Sequence, residues 1–538
     1  MQETFDFIIV GAGSAGAVLA ARLSENPATK VLLLEAGPPD HSLWIHLPVG
    51  YGKTMWSKTY NWCFYTDPDP NMNGRKIYWP RGKTLGGSSS INGLIYIRGQ
   101  REDFDHWRDL GNPGWGYNDV LPYFKRAEGN ERGGDAFHGG DGPLAVSDIK
   151  DKNPLIESFI AGAQEIGVPR TNDFNGAEQE GAGYFQLNTK NGLRCSTAKG
   201  YLKPARSRSN LAVETLAHAT RILFKDKRAI GVSYRQNGQD KVAYCKAEGK
   251  AEVLLCAGAI QSPQLLQLSG VGPEKLLQSF GIPVVNALPG VGENLQDHLQ
   301  MRLTYEATHP TTNDELNSWL GRAKLGIQWL TQRRGALAVG INQGGCFMKA
   351  LPNESKTPDI QFHVATLSAD MAGGALHPYS GFTFSVCQLR PESRGHIRIR
   401  SLDALTPPEM QPNYLATDLD RRTAVAAVKA ARAIANSAAM KPVIKREVKP
   451  GPEIDDDAGL LEYCRNNGAT IFHPSGTCSM GPADQAGAVV DARLKVHGVQ
   501  GLRVIDGSVM PTLVSGNTNA AVVMMAEKAA DMIREDNA

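Results

Sequence analysis

Gly11, Gly13 and Gly16 form a G-x-G-x-x-G run directly after the apolar stretch FIIV. Glycines at this spacing let the chain turn tightly out of a strand, bring backbone N–H groups up to a pyrophosphate, and pack a helix closely on the strand. Glu35 closes a second apolar stretch, KVLLLE, 19 residues after Gly16. A carboxylate at that point accepts from a ribose hydroxyl and disfavours a ribose 2′-phosphate, so FAD or NAD is expected rather than NADP. Ser14 and Ala36 flank the two motifs and are assigned to the same site.

A second chemical stretch is RGKTLGGSSSINGLIYIRG, Arg81 to Gly99. Its Gly-Lys-Thr suggests an ATP-binding loop, but that motif needs a glycine at position 77, where Ile77 stands. The reading that remains is a cradle. Gly86 and Gly87 expose backbone N–H groups to a phosphate or flavin, while Ser88 to Ser90 and Asn92 supply hydrogen bonds. A third candidate is His473 in FHPSGT, a histidine in a proline-shaped turn. A lone histidine is more often structural than catalytic.

Arg81–Gly99 resembles the first signature of the glucose-methanol-choline (GMC) flavin oxidoreductases, and GAIQSPQLLQLSGVG, Gly258 to Gly272, resembles the second. PGVGENLQDHL, FHPSGTCSMG and DGSVMPTLVSGNTNA follow in the family's order, so the resemblance spans almost the whole chain. It is nearest to bacterial choline-dehydrogenase-like alcohol dehydrogenases. The resemblance implies FAD rather than NAD, an α/β fold with a discontinuous Rossmann-like FAD-binding domain, and an inserted α+β substrate domain on a largely antiparallel sheet. It implies cofactor contacts at Trp62, Arg81, Thr84, Gly93, Ala219, Asp506 and Asn519 besides the residues above. It also implies catalytic roles for His473, as acid/base, and for Asn517, as hydrogen-bond donor to the substrate oxygen.

Oxidising an alcohol means removing a hydroxyl proton and delivering a hydride to flavin N5. An alcohol with a pKa near that of water, about 15.7, faces a histidine near 6.5, roughly 12 kcal/mol uphill. The base must therefore act as charge develops, with a donor beside the oxygen. Asn519 sits where the last helix begins and is a good helix cap. The positive end of that helix would face the flavin pyrimidine ring. Relatives with covalently bound flavin carry a histidine just before the Asn of the first signature. Ile91 stands here, so FAD is expected to be non-covalent. Choline-oxidising relatives hold a pocket carboxylate where NQGGCF offers Gln343, which argues against choline.

The expected activity is oxidation of a primary alcohol to the aldehyde, with electrons passed to a quinone or another acceptor. An oxidase reducing O₂ to H₂O₂ is the nearest alternative. A hydroxynitrile lyase with redox-inactive FAD and an NAD-dependent dehydrogenase stand further off.

These residues need a scaffold that holds distant segments together. FIIV, a glycine turn, a helix over about 14–25 and KVLLLE read as a βαβ start on a buried parallel sheet. Residues 38 to 80, rich in Pro, Trp, Asn and Asp, read as a long functional loop. From 300 to 465, strands such as DIQFHVATL and GFTFSVCQL and one helix over roughly 418–435 read as a second, antiparallel domain. The expected division is 1–150, 191–300 and 466–538 for the FAD-binding domain, with 151–190 and 301–465 for the substrate domain. With 57 Lys and Arg against 55 Asp and Glu and no dense basic run, nucleic acid is not an expected partner. The eight scattered cysteines show no metal-ligand spacing and suit a reducing compartment. No secretory signal or membrane-length apolar run is visible, so the expected location is cytoplasmic, with peripheral contact at the inner membrane left open. Oligomeric state is not readable.

Overall fold

The computed structural model describes residues 3–247 and 250–537. Phe7–Val10, Val31–Leu34 and Glu252–Leu255 are short runs buried along their whole length, as strands covered on both faces must be. Together with Leu211–Glu214 and Leu502–Val504 they form a parallel sheet. Numbered along the chain, the five strands lie in the order 3-2-1-4-5. The first strand therefore has the second on one side and the fourth on the other. The crevice beyond their C-terminal ends is the switch point where such sheets take ligands.

The helix Ser14–Leu23 leaves the first strand and packs on the C-terminal helix Asn519–Asn537. Glu527, fully buried on the latter, accepts from Arg22 at 2.8 Å, Arg126 at 2.8 Å and the Tyr201 hydroxyl at 2.7 Å. A buried carboxylate held by two guanidiniums thus locks the two ends of the chain together. A three-stranded meander, Ala217–Lys225, Arg228–Gln236 and Gln239–Cys245, completes this half, with Thr4–Phe5 added in parallel.

The other half is a seven-stranded antiparallel sheet. Its path runs Ile444–Lys449, Leu299–Ala307, Gly381–Gln388, Ile360–Ala365, Asn342–Met348 and Gly181–Tyr184, and Ala469–Thr470 pairs with Leu299 and Gln300. Alternation decides its two faces. Phe362, Phe384 and Leu303 are fully buried in a core with Phe159 of the helix Pro154–Glu165 and with the helix Asp418–Ala435. Phe159 meets Phe384 at a ring-centroid distance of 5.0 Å. The intervening residues Gln361 and His363, Ser385, and Gln300 and Arg302 face the other way, toward the parallel sheet. The long loop expected between 38 and 80 carries short helices at Leu43–His46 and Tyr51–Thr54.

Candidate active site

One continuous cavity of about 760 Å³ runs from the glycine turn at Gly11 to the polar face of the antiparallel sheet. At the turn, Gly13 and Gly87 bring two glycine loops into backbone contact: a Cβ on Gly87 would lie 2.6 Å from the Gly13 Cα. Gly86 N donates to Ala12 O at 2.7 Å, tying the same loops together. A Cβ on Gly13, by contrast, has no protein atom nearer than 4.0 Å and points into open space. This is a cradle that side chains would fill. Gly16 lies off the cavity, where a Cβ would stand 1.9 Å from Gly11 O, so its role is helix-on-strand packing.

Glu35 ends the second strand with both oxygens engaged, Oε2 by Ala12 N at 2.9 Å and Oε1 by Gly37 N at 2.8 Å. Burial raises it to about 7, against the pull of those two N–H groups. Asp506 accepts from Gly258 N at 2.8 Å and Ser262 Oγ at 2.6 Å, and its other oxygen accepts from Ser508 N at 2.8 Å. It therefore fastens the second signature to the C-terminal loop.

Ser14, Ala36, Trp62, Arg81, Ser88, Asn92, Gly93, Ala219, Asn517 and Asn519 also line the cavity. Thr84 and Gly86 do not; Thr84 Oγ1 donates to Pro38 O at 2.7 Å and buttresses the wall. The Asn519 side-chain oxygen accepts from Ser14 Oγ at 2.7 Å, so it ties the last helix to the first turn instead of capping its own helix. Arg81 uses its guanidinium on Pro80 O and Phe472 O, each at 2.6 Å.

His473 sits at the junction of the two halves, buried, in a turn under tension. Phe472 has φ +73°, a left-handed conformation that few non-glycine residues adopt. Three contacts hold that turn. Arg81 takes Phe472 O, Thr470 Oγ1 accepts from Phe472 N at 2.7 Å, and Asp297 Oδ1 accepts from His473 N at 2.8 Å. Asp297 is also bound by Thr470 Oγ1 and the Tyr414 hydroxyl, and burial raises it to about 6.

The proton positions on the imidazoles follow from a chain of contacts. Leu389 O can only accept, so His298 Nε2, 2.8 Å away, carries a proton. Burial holds His298 down to about 4 and therefore neutral, which leaves its Nδ1 bare. His473 Nδ1, 2.9 Å from that atom, must then be the donor. The neutral His473 consequently presents a bare Nε2 to the cavity. Burial, then the neighbouring His298, His363 and Arg81, hold His473 well below the ordinary imidazole range. Asn517 Nδ2 lies 3.3 Å from this Nε2, and Gln361 Nε2 donates to Asn517 Oδ1 at 3.2 Å. The amide thus turns its N–H₂ toward the histidine.

Sequence reasoning named His473 and Asn517 but not the residues that set them up. Asp297 and His298 were in plain view in PGVGENLQDHL, as a carboxylate and an imidazole side by side. Gln361 and His363 were not, because only the strand pairing carries them there. His363 lines the cavity with neither ring nitrogen hydrogen-bonded, and burial lowers it to about 3. Gln343 faces away: its amide lies 3.4 Å from Thr366 Oγ1, and Asn342 takes the cavity wall across a bulge at 342–344.

The GMC oxidoreductase family models match residues 5–300 and 391–526. The chain belongs to this family. It is 44% identical to an alcohol dehydrogenase [acceptor] of Pseudomonas putida over 531 residues, covering 98% of this chain and 95% of the relative. It is likewise 44% identical to oxygen-dependent choline dehydrogenase 1 of Chromohalobacter salexigens, with the same coverage. Among solved structures, pyridoxine 4-oxidase of Mesorbium loti matches with a TM-score of 0.89 at 30% identity and 99% coverage of both chains. GMC oxidoreductases are FAD enzymes acting on CH–OH donors, and the Gly13 cradle, the Glu35 carboxylate and the helix N-terminus at Asn519 fit that cofactor. Among the described residues no helix is long and apolar enough to cross a membrane, and no His/Cys/Asp/Glu cluster could hold a metal.

Proposed function

We propose that this GMC oxidoreductase converts a primary alcohol to the aldehyde, with His473 as base and Asn517 as donor to the substrate oxygen. The observation that carries the reading is the fixed tautomer of His473, whose bare Nε2 opens on the cavity beside an amide N–H₂. FAD, held by the Gly11–Gly16 turn, Glu35, the Gly86–Asn92 loop, Trp62, Ala219 and Asp506, would supply the hydride acceptor. Ile91 offers it no atom for a covalent bond, so the attachment is non-covalent. His473 Nε2 takes the hydroxyl proton as the C–H bond weakens, and the Asn517 amide N–H stabilises the growing negative charge on oxygen. His298 accepts from Nδ1 throughout and so keeps Nε2 free to take that proton. Residues 1–150, 191–300 and 466–538 would serve the cofactor, and 151–190 and 301–465 the substrate.

For the acceptor we favour a quinone or another organic oxidant over O₂. The helix Trp319–Gln332 contributes Arg322 and Leu325 to the cavity wall and exposes Trp319 at 71% and Ile327 at 62%. Its charged residues, Arg322 and Lys324, and the following Arg333 and Arg334, are all cationic. Apolar and basic groups together at a cavity mouth suit peripheral contact with an anionic membrane surface, where a quinone would be dissolved. The deciding experiment is the flavin spectrum of the purified protein without air. Primary alcohols, aliphatic and benzylic, should bleach it, and re-oxidation should be faster with a soluble quinone than with O₂. A flavin that no alcohol bleaches would point to the lyase chemistry, and faster re-oxidation by O₂ would make the enzyme an oxidase.

A further inference from the structure

The antiparallel sheet presents a row of cross-strand neighbours to the cavity: His363 pairs with Ser385, and Ser385 with Arg302. Two strand spacings, about 10 Å, separate the backbones of His363 and Arg302. The row therefore runs from His363, one of the groups that depress His473, toward a guanidinium. Arg302 lines the cavity, yet its side chain makes no hydrogen bond and no ion pair among the described residues, and the nearest pull on it is through-space, from Tyr51, Tyr463 and Asp370. Asp370 is already bound to Lys449 and His377. Arg194, the other guanidinium buried near Tyr51, donates to Ile45 O, Ser89 O and Asn92 Oδ1, so its charge is spread over carbonyls. Arg302 is half-buried at the cavity wall, and desolvation holds it below its usual range.

The acidic residues that line the cavity are Glu35 and Asp506, both in the nucleotide half and both bound to backbone N–H groups. Away from the nucleotide site the described lining holds Lys53, Arg302 and Arg322 and no carboxylate. A cationic alcohol would meet only like charge there.

We propose that Arg302 is a specificity residue that binds a carboxylate at the far end of the substrate, so that the alcohol oxidised is a hydroxy acid with its two functions at opposite ends of a ring or short chain. A planar guanidinium with free N–H groups matches a carboxylate in two parallel hydrogen bonds. Lys53 and Arg322 at the mouth would raise the local concentration of such an anion. The inference rests on the alcohol-oxidising reading for its chemistry, but the recognition of an anion can be measured without turnover.

The probes are 4-methylbenzoate and 4-methylbenzamide, titrated into the flavin-loaded enzyme and read as a shift in flavin absorbance. The carboxylate should bind at least about tenfold more tightly than the amide, the scale of a hydrogen bond to a charged group. Arg302→Met should abolish that preference at unchanged flavin content, and Arg302→Lys should retain part of it. In turnover, 4-(hydroxymethyl)benzoate should show a KM lower than its methyl ester by a similar factor, with kcat little changed. Equal binding of the two probes, a preference that persists in Arg302→Met, or loss of flavin from both variants would each overturn the assignment. If the carboxylate is preferred but no alcohol bleaches the flavin, the oxidation reading fails and the anion site stands. If alcohols bleach it and ester equals acid, only the anion site fails.

Discussion

The nucleotide half of the cavity is built largely from backbone supplied by contiguous motifs, whereas the catalytic half is built from side chains that four separate segments deliver to one point. Gly13, Gly87 and Ala12 act through main-chain atoms and the absence of Cβ atoms. His473, His298, Asn517, Gln361 and Asp297 act through side chains locked in a fixed order of donors and acceptors. The first kind of site tolerates little added volume, and its main-chain groups do not titrate. The second kind tolerates volume better and depends wholly on protonation state.

Adding single methyl groups to two neighbouring glycines gives the largest contrast within the nucleotide half. Gly16→Ala puts a carbon 1.9 Å from a main-chain oxygen, and no soluble folded enzyme is expected. Gly13 has φ −72°, open to any residue, and its Cβ would meet only cavity. Gly13→Ala should therefore fold and melt like the apo wild type while holding FAD roughly 5- to 150-fold more weakly, the effect of about 1–3 kcal/mol of overpacking. Flavin content and thermal melts check both; a Gly13→Ala protein with full flavin would move the cofactor away from this turn.

In the catalytic half, His473→Ala should lower the rate of flavin reduction by about 10² to 10⁴ with flavin still bound. Stopped-flow absorbance without air is the measurement, and a near-wild-type rate would remove His473 from the chemistry. Asn517→Ala should cost less, roughly tenfold to a hundredfold, because it removes one donor to the developing oxyanion and leaves the base in place.

That division also explains what the sequence made legible. G-x-G-x-x-G, the acid at 35 and the GGSSS loop are local, and local spacing carries their geometry. The alternation of DIQFHVATL is local too: Ile360, Phe362 and Val364 go to the core, His363 goes to the cavity, and Gln361 on the same face reaches Asn517. Which strands stand side by side is not local. That His363, Ser385 and Arg302 form one row depends on pairings between strands about 20 and 80 residues apart. Gln343 shows the limit at finer scale, since a one-residue bulge moved it off the face that simple counting would give it. The Asn519 side chain illustrates a different limit: a good helix-capping residue was claimed by Ser14, 505 positions earlier in the chain.

The smallest effect, and the sharpest probe of the catalytic half, is on the tautomer. His298 does not line the cavity; it is a positioning residue that forces the proton of His473 onto Nδ1. His298→Ala frees the ring to place its proton on Nε2, where it cannot act as a base, and should slow flavin reduction by about tenfold. A purely structural role would give the same loss at every pH. Here the profile should change as well. In the wild type, His473 is held well below the usual range, so acidification through pH 6.5 leaves it neutral and the rate level. Removing His298 deletes one of the groups that lower it, so its pKa rises toward 6.5 and the rate should begin to fall at a higher pH than in the wild type. An identical acid limb in the two proteins would leave the tautomer chain without a catalytic consequence.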